Sequence, residues 1–292
     1  MFSRINSYAN SSKILQETRK NVPRMSTLKE VLIFVALYLS VLLIHATSEF
    51  FVSTSSNPAI VGHVLLLTLF LYSVRAMLYI FIVTKIEKRN LMSIGITKEN
   101  ALASILKGLI IGFLMFLAVV VLGILLGSYA YKGFNSSQLY LIIPFLLAFF
   151  VQSLTEEIQY RGWIMTYFSK RHSIFIGFII SDLMFVLMHM GNNGIDIIAM
   201  INLFIAGLFY TILFWKYDNI WVCGLVHTMW NFAQGCLFGF NVSGIQFPSL
   251  FLFKQDSLSI IGGGTFGPES SLIATFVFML ATLLTLYYPK KS

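Results

Sequence analysis

Charge is the scarcest property of this chain: of 292 residues only 11% are Asp, Glu, Lys or Arg, while 57% are hydrophobic. With a mean hydropathy of +0.81, that shortage excludes an ordinary soluble domain and points to a polytopic membrane protein. Cysteine is nearly missing as well. Cys223 and Cys236 are the whole complement. Both lie in or beside apolar segments without CxxC spacing, so they read as small core residues, neither a disulfide nor metal ligands. Repeats, heptads, a Pro-rich linker and a soluble domain are lacking, which leaves a single membrane domain over 29–292. Residues 1–28 are polar and basic (Arg4, Lys13, Arg19, Lys20, Arg24). They lack the short apolar stretch and small-residue cleavage site of a signal peptide, and are expected to form a cytoplasmic leader. The net charge is +8, but the basic residues sit between apolar runs. Membrane orientation explains them, and nucleic acid is not an expected partner.

What is present is apolar sequence in long runs. About eight stretches reach the length that a ~30 Å hydrocarbon core demands: 30–52, 60–84, 104–128, 140–168, 174–190, 195–215, 219–240 and 271–288. The expected class is an all-α, polytopic membrane helical bundle. The fifth stretch is short and ends at the turn signal Gly191-Asn192-Asn193-Gly194. Alternate loops carry the basic residues: Lys85, Lys88, Arg89 and Lys98, then Lys170, Arg171 and His172, then Lys216, then Lys290 and Lys291. The intervening loops hold only Lys132 and Lys254. The bias puts both termini in the cytoplasm.

Against this background a few polar residues stand out: Glu49, His63, Arg75, Gln152, Glu156, Glu157, Arg161, Asp182, His189, Asn202, His227 and Asn231. A charged side chain at the bilayer centre costs roughly 2.5–3.5 kcal/mol on insertion scales, so such residues mark function by default. Glu157 and Arg161 are one helical turn apart and can pair, while Glu156 points about 100° away on a regular helix. One carboxylate can be neutralised while its neighbour stays available. Phe185 precedes His189 by one turn, and His227 precedes Asn231 by one turn. Asp182 shares a face with Phe185 and His189 and is expected to orient or pair inside the cavity. An acid, a histidine on a second helix and a His/Asn pair on a third supply a base, a partner for activating water and oxyanion donors. Amide hydrolysis needs those functions. Each element has a structural alternative: a Glu/Arg salt bridge, an interhelical histidine hydrogen bond, an asparagine helix contact. Glu49, His63 and Arg75 have no patterned neighbour and read as structural.

The three spaced motifs, Glu156-Glu157-Ile-Gln-Tyr-Arg161 (EExxxR), Phe185-Val-Leu-Met-His189 (FxxxH) and His227-Thr-Met-Trp-Asn231 (HxxxN), resemble those of the CPBP intramembrane proteases, the CAAX protease and bacteriocin-processing (Abi) family. The resemblance covers about residues 90–288. It includes Leu91-Met-Ser-Ile-Gly-Ile-Thr-Lys-Glu-Asn-Ala-Leu102 before the third span, and Gly263-Gly-Thr-Phe-Gly-Pro-Glu269 near the end. It implies peptide-bond hydrolysis near the membrane. Glu156 with His189 would activate water, His227 and Asn231 would stabilise the oxyanion, and Glu157, Arg161, Phe185 and Asp182 would support the site. The family has been read both as metalloproteases and as metal-free glutamate proteases. No cofactor is certain; a divalent metal such as zinc, if used, would fall to Glu156, His189 and His227. No HExxH, rhomboid-type GxSG or presenilin-type GxGD is present.

The leading expectation is an intramembrane endopeptidase acting on a membrane-associated peptide or protein. The alternative is a non-catalytic membrane protein for bacteriocin self-immunity or scaffolding. Short loops and a Phe-rich composition suggest a bacterial plasma membrane. By residue counting Glu156 sits toward the cytoplasmic half and His189 toward the outer side. Their meeting requires the fourth span to run well past Arg161.

Overall fold

The computed structural model describes residues 2–20, 57–255 and 260–288, together with scattered helical positions between 29 and 50. The expected first span, Glu49 and the terminal Lys290 and Lys291 therefore lie outside the described residues or at their margin. The described chain is an all-α membrane bundle with very little sheet. Two short helices, α1 (Phe2–Ser11) and α2 (Lys13–Lys20), precede the bundle. Then come α3 (Pro58–Phe81), α4 (Ala101–Leu125), α5 (Ile142–Glu157), α6 (Thr166–Arg171), α7 (Ile174–His189), α8 (Ile197–Tyr217), α9 (Ile220–Phe232) and α10 (Leu272–Tyr287).

Among the described residues four helical stretches are long and apolar enough to cross a membrane: Ile60–Ile86, Ala101–Leu125, Ser136–Arg171 and Ile197–Tyr217. Ile174–His189 and Leu272–Tyr287 are apolar but shorter. The outer faces are greasy: Leu102, Leu106, Ile110 and Leu114 project from α4 at a spacing of four, as expected where lipid replaces water.

Local chemistry sets the helix starts. Ser173, Asp196, Asn219 and Ser271 each accept a hydrogen bond from the backbone N–H three residues on, capping α7, α8, α9 and α10. At the centre α9 packs against both α4 and α5. The approach to α4 depends on Gly108 and Gly112. A Cβ on Gly112 would meet the Val226 carbonyl at 2.5 Å, and one on Gly108 would meet the Val222 carbonyl at 2.7 Å. Small residues four apart let membrane helices come this close. Around this pair, α3 packs on α5, α7 on α8, and α10 on α8 and α4. Trp230, Phe116, Phe278 and Phe240 fill the space between α4, α9 and α10.

Two features depart from a purely helical expectation. Tyr129–Phe134 (β1) pairs antiparallel with Phe251–Gln255 (β2), joining two loops that the sequence leaves unpaired. Aromatic rings hold the ribbon, with Tyr131 on Phe253 at 5.6 Å and Phe134 on Phe251 at 5.4 Å. The second is the fourth span. It is helical from Ser136 to Arg171, but Ile158–Met165 is wound as a π-helix.

The N-terminal leader is docked. α2 packs on the turn Leu91–Ile94 and on α6. Thr18 donates to the Ser93 carbonyl at 3.1 Å, Ser12 to Asp218 at 2.6 Å, and Arg4 to the Leu286 carbonyl at 2.9 Å. The leader, the 87–95 and 166–172 segments, the α8–α9 turn and the end of α10 thus gather at one end of the bundle.

Candidate active site

The fourth span delivers three charged side chains. At the end of α5, Glu156 and Glu157 are 8% and 0% exposed, and Arg161 on the π segment is 0% exposed. The Arg161 guanidinium contacts Glu157 Oε1 at 3.1 Å, the pairing that the one-turn spacing predicts, and Asp182 Oδ1 of α7 at 3.3 Å. The rings of Phe185, Tyr210 and Tyr160 surround it, with centroids 4.8, 5.4 and 6.0 Å from Cζ. A glycine makes room for the second carboxylate: a Cβ on Gly207 of α8 would meet Asp182 Oδ1 at 2.5 Å. Asp182 thus braces Arg161, and it does so inside a fully buried cluster.

Glu156 faces elsewhere. Gln152, one turn back, donates to Glu156 Oε1 at 2.7 Å. The other oxygen, Oε2, has no hydrogen-bond partner among the described residues and lies 3.9 Å from His227 Nε2. His227 on α9 joins the two glutamates, since its Nδ1 is 2.9 Å from Glu157 Oε1. An ionised carboxylate can only accept, so this contact puts a hydrogen on Nδ1 and turns Nε2 toward Glu156. The Tyr210 ring stacks on the imidazole at 5.0 Å and 15°. One turn on, Asn231 Nδ2 donates to Gln152 Oε1 at 3.3 Å, a long bond.

His189, at the end of α7, is half-buried. Its Nδ1 is 2.7 Å from the Phe185 carbonyl. A carbonyl only accepts, so Nδ1 carries the hydrogen and Nε2 keeps the lone pair in the neutral ring. The Phe185 ring lies between the histidines, 4.7 Å from His189 and 6.2 Å from His227.

All four residues, Glu156, His189, His227 and Asn231, line one cavity of about 1570 Å³. They converge because the fourth span continues to Arg171 and α7 ends at His189. No hydrogen bond or ion pair joins Glu156 to His189 among the described residues; the direct neighbour of Glu156 is His227. Nor does any group of three His, Cys, Asp or Glu among the described residues stand close enough to hold a metal ion. Glu156, His189 and His227 do not fit a zinc ligand set, which needs donors about 2 Å from one centre.

Three cavity residues escaped the spacing argument. Gln152 links Glu156 to Asn231; its signal was a helical turn before Glu156. Glu269, in the turn before α10, lines the cavity and accepts from the Ser243 N–H at 2.6 Å and the Ser243 hydroxyl at 3.0 Å. Burial pushes its carboxyl up, while the Ser243 backbone N–H and the nearby His189 pull it back down. Arg75, read as structural from the sequence, also lines the cavity. Its distance from the motifs along the chain hid it.

A family model described as type II CAAX prenyl endopeptidase Rce1-like matches residues 137–233. The match contains all three motifs and is narrower than the 90–288 over which the sequence shows a resemblance. No curated protein and no solved structure matches the chain.

Proposed function

We propose, on the match of residues 137–233 to a family model described as type II CAAX prenyl endopeptidase Rce1-like, that the chain is an intramembrane endopeptidase. Its substrate is a membrane-associated peptide or protein. The observation that carries this reading is the placement of Glu156, His189, His227 and Asn231 around one cavity within an apolar bundle. Glu156 has an oxygen without a hydrogen-bond partner, and His189 has its Nε2 lone pair available. The two share activation of a water molecule, which attacks the scissile carbonyl carbon. The proton passes to the carboxylate–imidazole pair and then to the leaving amine, so the C–N bond breaks into an acid and an amine.

The developing oxyanion is met by Asn231 Nδ2, whose long bond to Gln152 is readily exchanged. His227 serves beside it, its ring held in place by the Nδ1 contact to Glu157. Glu157, Arg161 and Asp182 act by holding His227 and the π segment in place. Among the described residues no three His, Cys, Asp or Glu side chains converge on one point, which favours the metal-free, glutamate-based route in this reading.

In the membrane we read about eight spans, counting 30–52 as the first, with both termini in the cytoplasm. The gathering of the leader, Lys85 to Arg89 and Lys170 to His172 at one end supports this through the positive-inside rule. The cavity's polar rim, Asn57, Asn135, Gln138, Asn192, Asn193 and Ser243, comes from the other, non-basic loops. Substrate therefore enters from the extracytoplasmic side of what we take to be a bacterial plasma membrane.

The test compares peptides released from cells carrying the unaltered chain with those from Glu156→Ala and His189→Ala cells. Peptides lost in both variants, at unchanged protein level and insertion, are expected. Normal processing by either variant sinks the proposal and leaves the non-catalytic immunity or scaffold role.

A further inference from the structure

Arg75 of α3 is only 2% exposed yet forms part of the cavity wall. Its Nη2 donates to Gln159 Oε1 at 2.7 Å and to the Tyr79 hydroxyl at 3.4 Å. Its Cζ lies 4.7 Å from the Tyr72 ring centroid. All three partners are neutral. Among the described residues no carboxylate forms an ion pair with Arg75, and its Nε has no hydrogen-bond partner. The other buried guanidiniums differ: Arg89 pairs with Glu87 at 3.0 Å, and Arg161 with Glu157 and Asp182. A buried cation without a counter-anion is costly. Here Arg75 lines the same cavity as Glu156, and Gln159 ties Arg75 to the π segment that follows Glu156.

We propose that Arg75 is the anion-binding end of this cavity and takes a carboxylate of the bound peptide. The inference deepens the peptide-cleaving reading and rests on it. A guanidinium offers a planar fork of N–H donors that matches a carboxylate. Leu65, Leu69, Tyr72 and Phe149 supply apolar wall nearby, so the fitting ligand is an apolar peptide segment carrying one negative group. Two sources share that chemistry, a free C-terminus and an Asp or Glu side chain.

The test is a thermal-melting titration of the purified full chain in detergent. The probes are N-acetyl-Leu-Leu-Phe as free acid, its C-terminal amide, N-acetyl-Leu-Asp-Phe amide, and dodecyl phosphate. A carboxylate-bearing peptide is expected to raise the melting temperature where the uncharged amide does not. Response to the free acid alone identifies a chain terminus as the source; response to the Asp peptide alone identifies a side chain. In Arg75→Gln the half-saturating concentration rises about tenfold or more, and in Arg75→Lys it rises less. Equal responses to free acid and uncharged amide overturn the proposal. So do no response to either carboxylate peptide, an unchanged response in Arg75→Gln, and an Arg75-dependent response to dodecyl phosphate alone, which would make the ligand a lipid phosphate. Should Arg75→Gln fail to fold, the acid-against-amide comparison on the unaltered chain and on Arg75→Lys decides. Cleavage of the same peptides is read separately by mass spectrometry. A chain that cleaves without carboxylate preference loses this subsite and keeps the protease reading, and the converse holds for carboxylate binding without cleavage.

Discussion

Glu156 and Glu157 are neighbours in the chain, but one is committed and the other available. Glu157 is bound to Arg161 and His227, whereas Glu156 holds a single bond from Gln152 and an open oxygen. Opposite phenotypes follow. Glu156→Gln keeps size and most contacts, so its melting temperature is expected to stay near that of the unaltered chain. Its cleavage rate should fall by about 10²–10⁴-fold, the usual worth of a general base, as measured with any processed peptide. Arg161→Met leaves Glu157 and Asp182 buried without their cation and is expected to cost about 3–5 kcal/mol in denaturant unfolding. The division between the glutamates was half legible in the sequence: a four-residue spacing marked Glu157 and Arg161, and that pairing is present. The other half was not, because which ring nitrogen of His227 each carboxylate meets, Nδ1 for Glu157 and Nε2 for Glu156, depends on how α9 lies against α5. Arg89 shows the same limit. It counts as a loop cation, yet it is 3% exposed and bonded to Glu87, Ser93 and Thr166. No local pattern announces a partner 77 positions away.

At the scale of elements, seven of the eight apolar stretches correspond to described helices, because length and hydropathy are properties each stretch carries alone. The π winding of Ile158–Met165 was invisible for the opposite reason. Gly162 there sits against Ile94, whose carbonyl a Cβ would meet at 3.0 Å, and Gln159 and Arg161 reach toward α3 and α7 respectively. Contacts on several sides favour the wider turn, as is frequent at functional sites. The β1–β2 ribbon was likewise hidden, since its strands are separated by five α-helices, α5 to α9. Packing of α4 on α9 offers a direct test. Gly112→Val forces side-chain atoms into the Val226 backbone and is expected to destabilise the bundle by about 1–3 kcal/mol, read as a lower melting midpoint in detergent. The exposed Leu114→Val on the lipid face of the same helix should melt within about 0.5 kcal/mol of the unaltered chain.

For the whole molecule, orientation is the property that decides which peptides the cavity meets. Cys223 and Cys236 are buried, so introduced cysteines report on a silent background. Asn192→Cys at the rim is expected to react with a membrane-impermeant maleimide on intact cells, and Lys85→Cys only after permeabilisation. The reverse pattern would turn the cavity to the cytoplasm. The docked leader carries a further consequence. Beneath the site, Trp163 donates to Glu87 at 2.6 Å, and Arg89 spans from Thr18 of α2 to Thr166 of α6. No residue of α1 or α2 lines the cavity. Among the described residues the basic end is thus tied together by side-chain bonds that the cavity lining does not share. If the chain is the peptidase proposed above, both fragments are expected to leave by the rim that admitted the substrate, and any crossing of the membrane by the product is then work for another protein.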